Sequence, residues 1–247
     1  MKHLVYIFLF ISSFVFAQSG FEKGNALYQK GQYEQAIQAY ESVLDSRQQS
    51  ADLYFNLGNC YYKLNKVAPS IYNYEKALVL APEDVDITNN LKFAQKLTID
   101  EVKEVPKVGF AKLLRDFTGM YHYNTWAWIS IVFGLLFLGF FMGYYFSLAA
   151  VLKRIFFFGM FVWILFLLIS VGAAIFEKNY FVTVRPAIVF AEVTEVKSEP
   201  QKASPAIFIL HEGTKVLVKE ILGKWKKIEL TDGTEGWIES GAIREVK

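Results

Sequence analysis

The chain has little of the chemistry that enzymes and metal sites use. It contains one cysteine and three histidines in 247 residues. A single cysteine excludes an intrachain disulfide, and His3, His122 and His211 lie far apart in segments of different character. The sequence has no nucleophile motif and no glycine-rich phosphate loop. These absences argue against an enzyme, and we predict no metal site and no cofactor.

Excess charge of one sign is also missing. The 26 basic residues nearly balance the 24 acidic ones, and the formal net charge is +2. A nucleic-acid-binding domain normally shows a strong basic excess, so we expect no DNA or RNA partner. Apolar residues are abundant instead: they make up 53% of the chain, with 23 phenylalanines. This composition indicates membrane segments.

Charged side chains are absent from two long runs, Phe117 to Leu152 and Ile155 to Phe176. Each run is long enough for a membrane helix of about 20 residues. We predict transmembrane helices at 124–148 and 155–176, joined by a short cytoplasmic loop at 149–154. Because neither span contains an ionisable residue, a transporter is disfavoured. Interfacial aromatic residues are expected on one side at Tyr121, Tyr123, Trp126 and Trp128 and on the other at Tyr144 and Tyr145.

The N-terminus predicts the compartment of the soluble parts. Residues 1–17 combine a basic start, a 14-residue apolar run and small residues before Gln18, which is typical of a cleaved signal peptide. An uncleaved anchor is the alternative. Lys153 and Arg154 in the short loop favour the cytoplasm for that loop. The soluble parts then lie in the periplasm of a bacterial inner membrane, although basic residues beside the outer ends of the spans weaken the charge argument.

A self-comparison at a shift of 34 residues aligns one segment with the next. Gly24 aligns with Gly58 and Tyr40 with Tyr74, among other pairs. A period of 34 residues is typical of helix-turn-helix arrays, and both copies resemble the tetratricopeptide repeat (TPR). We predict two TPR repeats plus a capping helix over 18–98, with the acidic stretch after Pro82 at the start of that last helix.

The resemblance implies a concave groove that binds a peptide of a partner protein. Asparagines recur within it at the same shift: Asn25 with Asn59, and Asn56 with Asn90. An asparagine amide both donates to and accepts from a peptide backbone. We therefore take these four residues as candidate peptide-binding residues. The alternative is that asparagine is simply a common exposed residue.

The segment 99–123 is predicted to be a linker followed by an amphipathic stretch. Phe110, Leu113 and Phe117 share one helical face, with charged residues elsewhere. Such a helix lies on the membrane surface. A plain extension of the first membrane helix is the alternative.

The chain after Asn179 contains short β-rich runs and turn signals, which predict an all-β barrel over 179–247. The strings LHEGTKVLV and GKWKKIELTDGTEGWI resemble bacterial SH3-like domains. In that family Gly236, Trp237 and Ile238 usually serve the fold. Trp225 is a candidate surface residue that would anchor a peptide or a glycan strand, with a role in the core as the alternative.

The fold class predicted from these segments is a multidomain membrane protein with all-α TPR repeats, a two-helix transmembrane hairpin and an all-β SH3-like barrel. This order resembles the BatE-type proteins of Bacteroidetes aerotolerance operons. The resemblance implies a membrane scaffold in an envelope complex linked to stress tolerance. It also implies von Willebrand A-domain membrane proteins of the same operon as partners, beside membrane lipid.

The sequence is compatible with two functions. The first is a non-enzymatic inner-membrane scaffold that binds proteins through its TPR groove and SH3-like domain. The second is a cell-wall module that binds or senses peptidoglycan through the SH3-like domain. Cys60 lies beside the small Gly58 on the first helix of the second repeat and is predicted to pack in the core; a redox sensor is the alternative, although no basic residue adjoins it.

Overall fold

The computed structural model describes residues 20–100 and 109–247. They form two compact units: residues 20–100 with Arg185–Lys247, and residues 109–184. The predicted signal peptide and residues 101–108 of the predicted linker lie outside the described residues. The architecture is that of a multidomain protein with a helical repeat region, two long apolar helices and a C-terminal antiparallel sheet.

Five consecutive helices make up the repeat region. They are α1 (20–29), α2 (Tyr33–Asp45), α3 (Ala51–Lys63), α4 (Val67–Leu80) and α5 (Val85–Gln95). Each of α2 to α4 packs against the next. Ser50 caps α3 by accepting from the Leu53 N–H, and Asp84 caps α5 by accepting from the Ile87 N–H. A polar side chain at this position satisfies a backbone donor that the first helical turn leaves open.

The 34-residue period reappears in the backbone and the core. Gly31 and Asn65, equivalent at that shift, both have positive φ, of 74° and 55°; glycine and asparagine are the residues that tolerate this conformation best. Gly24 and Gly58 lie against the rings of Tyr40 and Tyr74. A Cβ added at Gly24 would lie 2.3 Å from the Tyr40 ring, and one at Gly58 would lie 2.6 Å from the Tyr74 ring. The repeat therefore needs a small residue wherever its tyrosine fills the space between helices.

Seven strands follow the two apolar helices and form the SH3-like domain (Arg185–Lys247). They are β1 (Arg185–Val189), β2 (Val193–Lys197), β3 (Ala206–His211), β4 (Lys215–Leu222), β5 (Trp225–Glu229), β6 (Glu235–Glu239) and β7 (Ile243–Glu245). They form one sheet in the order β3-β2-β6-β5-β4-β1-β7, and every described pairing is antiparallel. Val196, Ile228 and Ile238 are fully buried in its core. The sheet begins later than the predicted boundary at 179, because the preceding helix continues to Thr183.

The GWI element contributes to this core. Gly236 is buried, and a Cβ added there would lie 2.4 Å from a methyl group of Val196. Ile238 is fully buried and Trp237 is half-buried. A side chain larger than hydrogen at 236 would push β6 away from β2, so the glycine is needed for the packing of the sheet.

The second unit contains the two apolar helices. They are α7 (Tyr123–Phe146) and α8 (Ala150–Thr183), and both are long and apolar enough to cross a membrane. The described connection is only three residues, 147–149. Lys153 and Arg154, predicted in a loop at 149–154, therefore lie in the first turns of α8. The helix continues through them because their long side chains reach outward without interrupting the backbone hydrogen bonds.

Glycine and aromatic side chains pair where α7 and α8 approach each other. Gly143 lies against the ring of Phe156, and Gly159 lies against the ring of Phe140. The Ser130 and Ser170 hydroxyls share a buried hydrogen bond of 2.9 Å. Gly139, one helical turn before Gly143, faces open space. The close approach thus uses one glycine from each helix, each against a ring of the other.

A short helix, α6 (Phe110–Thr118), precedes α7 and is held within the same unit. Trp126 Nε1 donates to the Thr118 carbonyl oxygen at 2.8 Å, and Arg115 forms an ion pair with Glu177. Phe110 and Leu113 remain 79% and 67% exposed. The exposed apolar face is what a helix at a membrane surface requires, while its polar face is used for contacts within the unit.

Candidate functional site

Each repeat fixes one of the candidate asparagines in the same way. The Tyr40 hydroxyl donates to Asn25 Oδ1 and the Tyr74 hydroxyl donates to Asn59 Oδ1, both at 2.7 Å. Burial raises the pKa of both tyrosines far above the ordinary value, so both hydroxyls keep their protons. The asparagine oxygens are thus occupied. Within the described residues the Nδ2 groups of Asn25 and Asn59 have no acceptor, and each side chain is half-buried.

Two of the four asparagines are joined by a hydrogen bond, and a third lies nearby on the same helix. Asn56 Nδ2 donates to Asn25 Oδ1 at 3.0 Å, which links α3 to α1. Asn59 lies one turn farther along α3. Asn90 is on α5 and half-buried, and its side chain has no hydrogen bond among the described residues. The group presents mainly N–H donors, because the oxygens of Asn25 and Asn59 already accept hydrogen bonds from the chain.

A fifth residue belongs to the same series. Asn25 and Asn59 are followed at the 34-residue shift by Phe93, which is 53% exposed. Lys96 Nζ lies 5.3 Å from the centre of its ring. Our sequence reasoning missed Phe93, although the shift that identified the asparagines leads directly to it. The series therefore changes along the array from amides to an exposed ring with a cation beside it.

Trp225, the candidate surface residue of the SH3-like domain, lines a cleft of about 420 Å³. The side chain is half-buried. The cleft is also lined by Lys202, Lys224, Glu239 and Ser240 and by two glycines. The cleft therefore offers one aromatic surface among charged and polar groups, whereas most small-molecule pockets are predominantly apolar.

The repeat region and the SH3-like domain contact each other through Asp100, which sequence reasoning missed. Its carboxylate accepts from the His211 backbone N–H at 2.7 Å and from the Thr214 hydroxyl at 2.5 Å, and its second oxygen lies 2.7 Å from His211 Nδ1. Burial alone would raise the pKa of Asp100, but the hydrogen bonds from Thr214 and His211 outweigh burial and lower it. His211, predicted to be a turn residue, is the last residue of β3 and joins two domains.

Apolar and ionic contacts extend this interface. A Cβ added at Gly213 would lie 2.8 Å from Val67, so only glycine fits the close approach of this turn to α4. Lys215 Nζ lies 2.6 Å from Glu75, whose side chain is 8% exposed. Ile188 and Val246 of the SH3-like domain are buried in the same cluster as the repeat core. The two domains therefore share a core.

An aromatic contact lies beside this shared core. The rings of Tyr72 and Phe190 meet edge to face with centres 5.5 Å apart. The Arg244 guanidinium lies 4.2 Å from the centre of the Phe190 ring. Phe190 therefore lies between a ring of the repeat region and a cation of its own domain, an arrangement that adds to the stability of the contact.

Cys60 is completely buried in the repeat core. Burial raises the pKa of its thiol to about 12. The thiolate, which is the reactive form, is then scarcely populated at neutral pH. This geometry supports the packing role and disfavours the redox alternative.

Comparisons with known proteins agree with this geometry. Residues 24–65 match the family described as TPR repeat, residues 51–84 match the tetratricopeptide repeat, and residues 194–245 match the bacterial SH3 domain. The chain carries TPR repeats and a bacterial SH3 domain. It is similar to tetratricopeptide repeat protein 16 of Macaca fascicularis and of Homo sapiens, at 29% identity over 69 residues in each case. That match covers 28% of this chain and 8% of either relative.

Proposed function

We propose that the protein is a non-enzymatic inner-membrane scaffold whose TPR groove and SH3-like domain bind protein partners in an envelope complex linked to aerotolerance and stress resistance. TPR repeats are typically interaction modules without catalytic activity. The observation that carries the proposal is the shared core of the two interaction domains, because it holds both candidate binding surfaces in one unit. The proposed partners are von Willebrand A-domain membrane proteins.

The contact between Asp100 and His211 supports the proposed topology. The two residues precede and follow the apolar helices α7 and α8, and they are in direct contact. A chain that crosses a membrane twice between them returns both to one side. This side is the periplasm in our proposal, in agreement with the predicted signal peptide over 1–17.

Impermeant thiol labelling tests this topology. With Cys60→Ala as the background, Leu148→Cys lies in the connection between the helices and Thr231→Cys lies in the β5–β6 turn. In spheroplasts we expect labelling of the cysteine at 231, and labelling of the cysteine at 148 only after permeabilisation. The reverse pattern would place the soluble unit in the cytoplasm.

Affinity purification from membranes tests the scaffold itself. The wild-type chain should recover von Willebrand A-domain proteins, and Asn56→Ala combined with Asn59→Ala should reduce that recovery. Asn89→Ala is the matched control, because Asn89 is an exposed asparagine on α5 outside the recurring series. Equal recovery by all three chains would refute a role for the asparagine groove.

The second candidate function is cell-wall binding, which is favoured by the match to the bacterial SH3 domain and by the cleft at Trp225. The test must use the full-length protein, because part of the SH3-like domain is buried against the repeats. Co-sedimentation with purified sacculi that is lost in Trp225→Ala would support this function. No retention of the wild-type chain would leave the protein scaffold as the better account.

A further inference from the structure

Lysines in the SH3-like domain fall into two groups. Five of those between β2 and β6 form ion pairs with carboxylates; they are Lys197, Lys215, Lys219, Lys226 and Lys227. Within the described residues, Lys202 and Lys224 have no carboxylate partner, and both line the cleft at Trp225. The unpaired cations of this part of the domain thus converge on one concave site.

The cleft contains further unsatisfied polar groups. Ser240 Oγ is enclosed and has no hydrogen-bond partner among the described residues. The Ser240 backbone N–H donates to the Lys224 carbonyl oxygen at 2.8 Å, which fixes the end of β6 beside the β4–β5 turn. A buried hydroxyl without a partner is unfavourable unless a ligand or water supplies one.

Glu239 limits which anions fit. Trp225 and Glu239 are directly paired in the β5–β6 register, so their side chains are neighbours on one face of the sheet. The Glu239 carboxylate has no cation partner among the described residues. It would repel a continuous run of negative charge next to Trp225, whereas it would accept a hydrogen bond from an amide N–H.

We infer that this cleft binds an acidic peptide segment of a protein partner, with carboxylates spaced on either side of an aromatic or apolar residue. Lys202 and Lys224 pair with the carboxylates, the indole of Trp225 contacts the residue between them, and Glu239 accepts from a peptide N–H. This inference rests on the proposed scaffold function, because it assigns a ligand class to the SH3-like part of that scaffold.

Fluorescence anisotropy with the full-length protein in lipid nanodiscs tests the inference. The probe is a fluorescein-labelled hexapeptide of alternating glutamate and tyrosine, and the comparison probe has lysine in place of glutamate. We expect binding of the acidic probe only. Lys202→Gln combined with Lys224→Gln should weaken it about tenfold, and Trp225→Ala should weaken it further.

The matched control is Lys219→Gln combined with Lys227→Gln. This pair removes the same charge from the same domain, but both lysines are already paired with carboxylates outside the cleft. We expect a change of about twofold or less. Equal weakening by the two double variants would overturn the inference, since binding would then follow net charge alone.

Muropeptide fragments supply the competing ligand. If the muropeptides do not displace the bound acidic probe, the inference holds. If the muropeptides bind at Trp225 and the acidic probe does not bind, the site belongs to the cell-wall function. The scaffold proposal has a separate test, which is the capture of von Willebrand A-domain proteins. That capture should depend on Asn56 and Asn59 and not on the cleft. Partner capture without binding of the acidic probe would refute only the cleft inference.

Discussion

The repeat region and the SH3-like domain differ in the polar groups that their candidate sites leave unpaired. In the groove, tyrosine hydroxyls occupy the oxygens of Asn25 and Asn59, so that neutral N–H donors remain. In the cleft, Lys202 and Lys224 remain unpaired beside Trp225. Neutral, directional donors select a backbone geometry, whereas exposed cations attract any suitable anion and respond to salt. One unit thus presents two candidate sites with different chemistry.

The largest expected effect tests whether the two regions share stability. Tyr74→Ala in the repeats and Ile238→Ala in the sheet each remove a side chain that is almost completely buried. We expect a cost of about 3–5 kcal/mol for the first and about 2–5 kcal/mol for the second. Because the cores are joined, hydrogen exchange should rise in both regions for either variant. Tyr74→Phe, which loses only the hydroxyl, should cost about 1 kcal/mol. Hydrogen exchange that rises only in the mutated region would show that the two regions unfold independently.

The second prediction concerns the contact between the regions. The folded pKa of Asp100 is lowered, so its contribution to stability is present above the unfolded pKa of about 3.9 and is lost as the pH falls through the lower folded value. The free energy of unfolding of the wild type, measured with urea at pH 6 and at several pH values below 4, should show this loss. Asp100→Asn should remove it, while Asp52→Asn, on an exposed position of α3, should not.

The third prediction compares the turns of the two regions. Gly31 and Gly233 both have positive φ, of 74° and 88°, and open space around the missing Cβ. Alanine at either position should destabilise the unit by about 1 kcal/mol through backbone strain alone. Gly241→Ala is the control, with open space and no positive φ. Thermal unfolding of the four chains would show a shift for the first two variants only.

The smallest predicted effect is a difference between the two candidate sites in the salt dependence of binding. Raising the ionic strength from about 0.01 M to about 0.1 M shortens the Debye length from about 30 Å to about 10 Å. Binding of the acidic probe to the cleft should weaken several-fold, and capture through the asparagine groove should hardly change. Equal salt dependence of both would mean that the groove also binds through charge.

Much of this fold could be predicted from local patterns. The 34-residue shift indicated the repeats, the charge-free runs indicated α7 and α8, and the GWI string indicated the SH3-like domain. The pairing of Asn25 with Tyr40 and of Asn59 with Tyr74 was also accessible, because the spacing of 15 residues recurs in both copies. From sequence we expect each amide both to donate to and to accept from a peptide, whereas in the structure the oxygens of Asn25 and Asn59 already accept from tyrosines.

The contact of Asp100 with His211 had no such signal. The two residues are 111 positions apart and no repeat or motif connects them. The unpaired state of Lys202 and Lys224 was equally hidden, because it depends on which carboxylates the sheet brings to the other lysines. Sequence patterns report periodic burial well and long-range polar pairing poorly.

The order of synthesis gives the shared core a further consequence. The repeats precede the two apolar helices along the chain, whereas Val246, which is buried in the same cluster as the repeat core, follows them. Both apolar helices lie in the chain segment between the repeats and Val246. Closing a loop of this length carries an entropic cost that is recovered only when the final strands dock. In the proposed topology both helices cross the membrane before these strands dock, so the two candidate binding surfaces form together, after insertion.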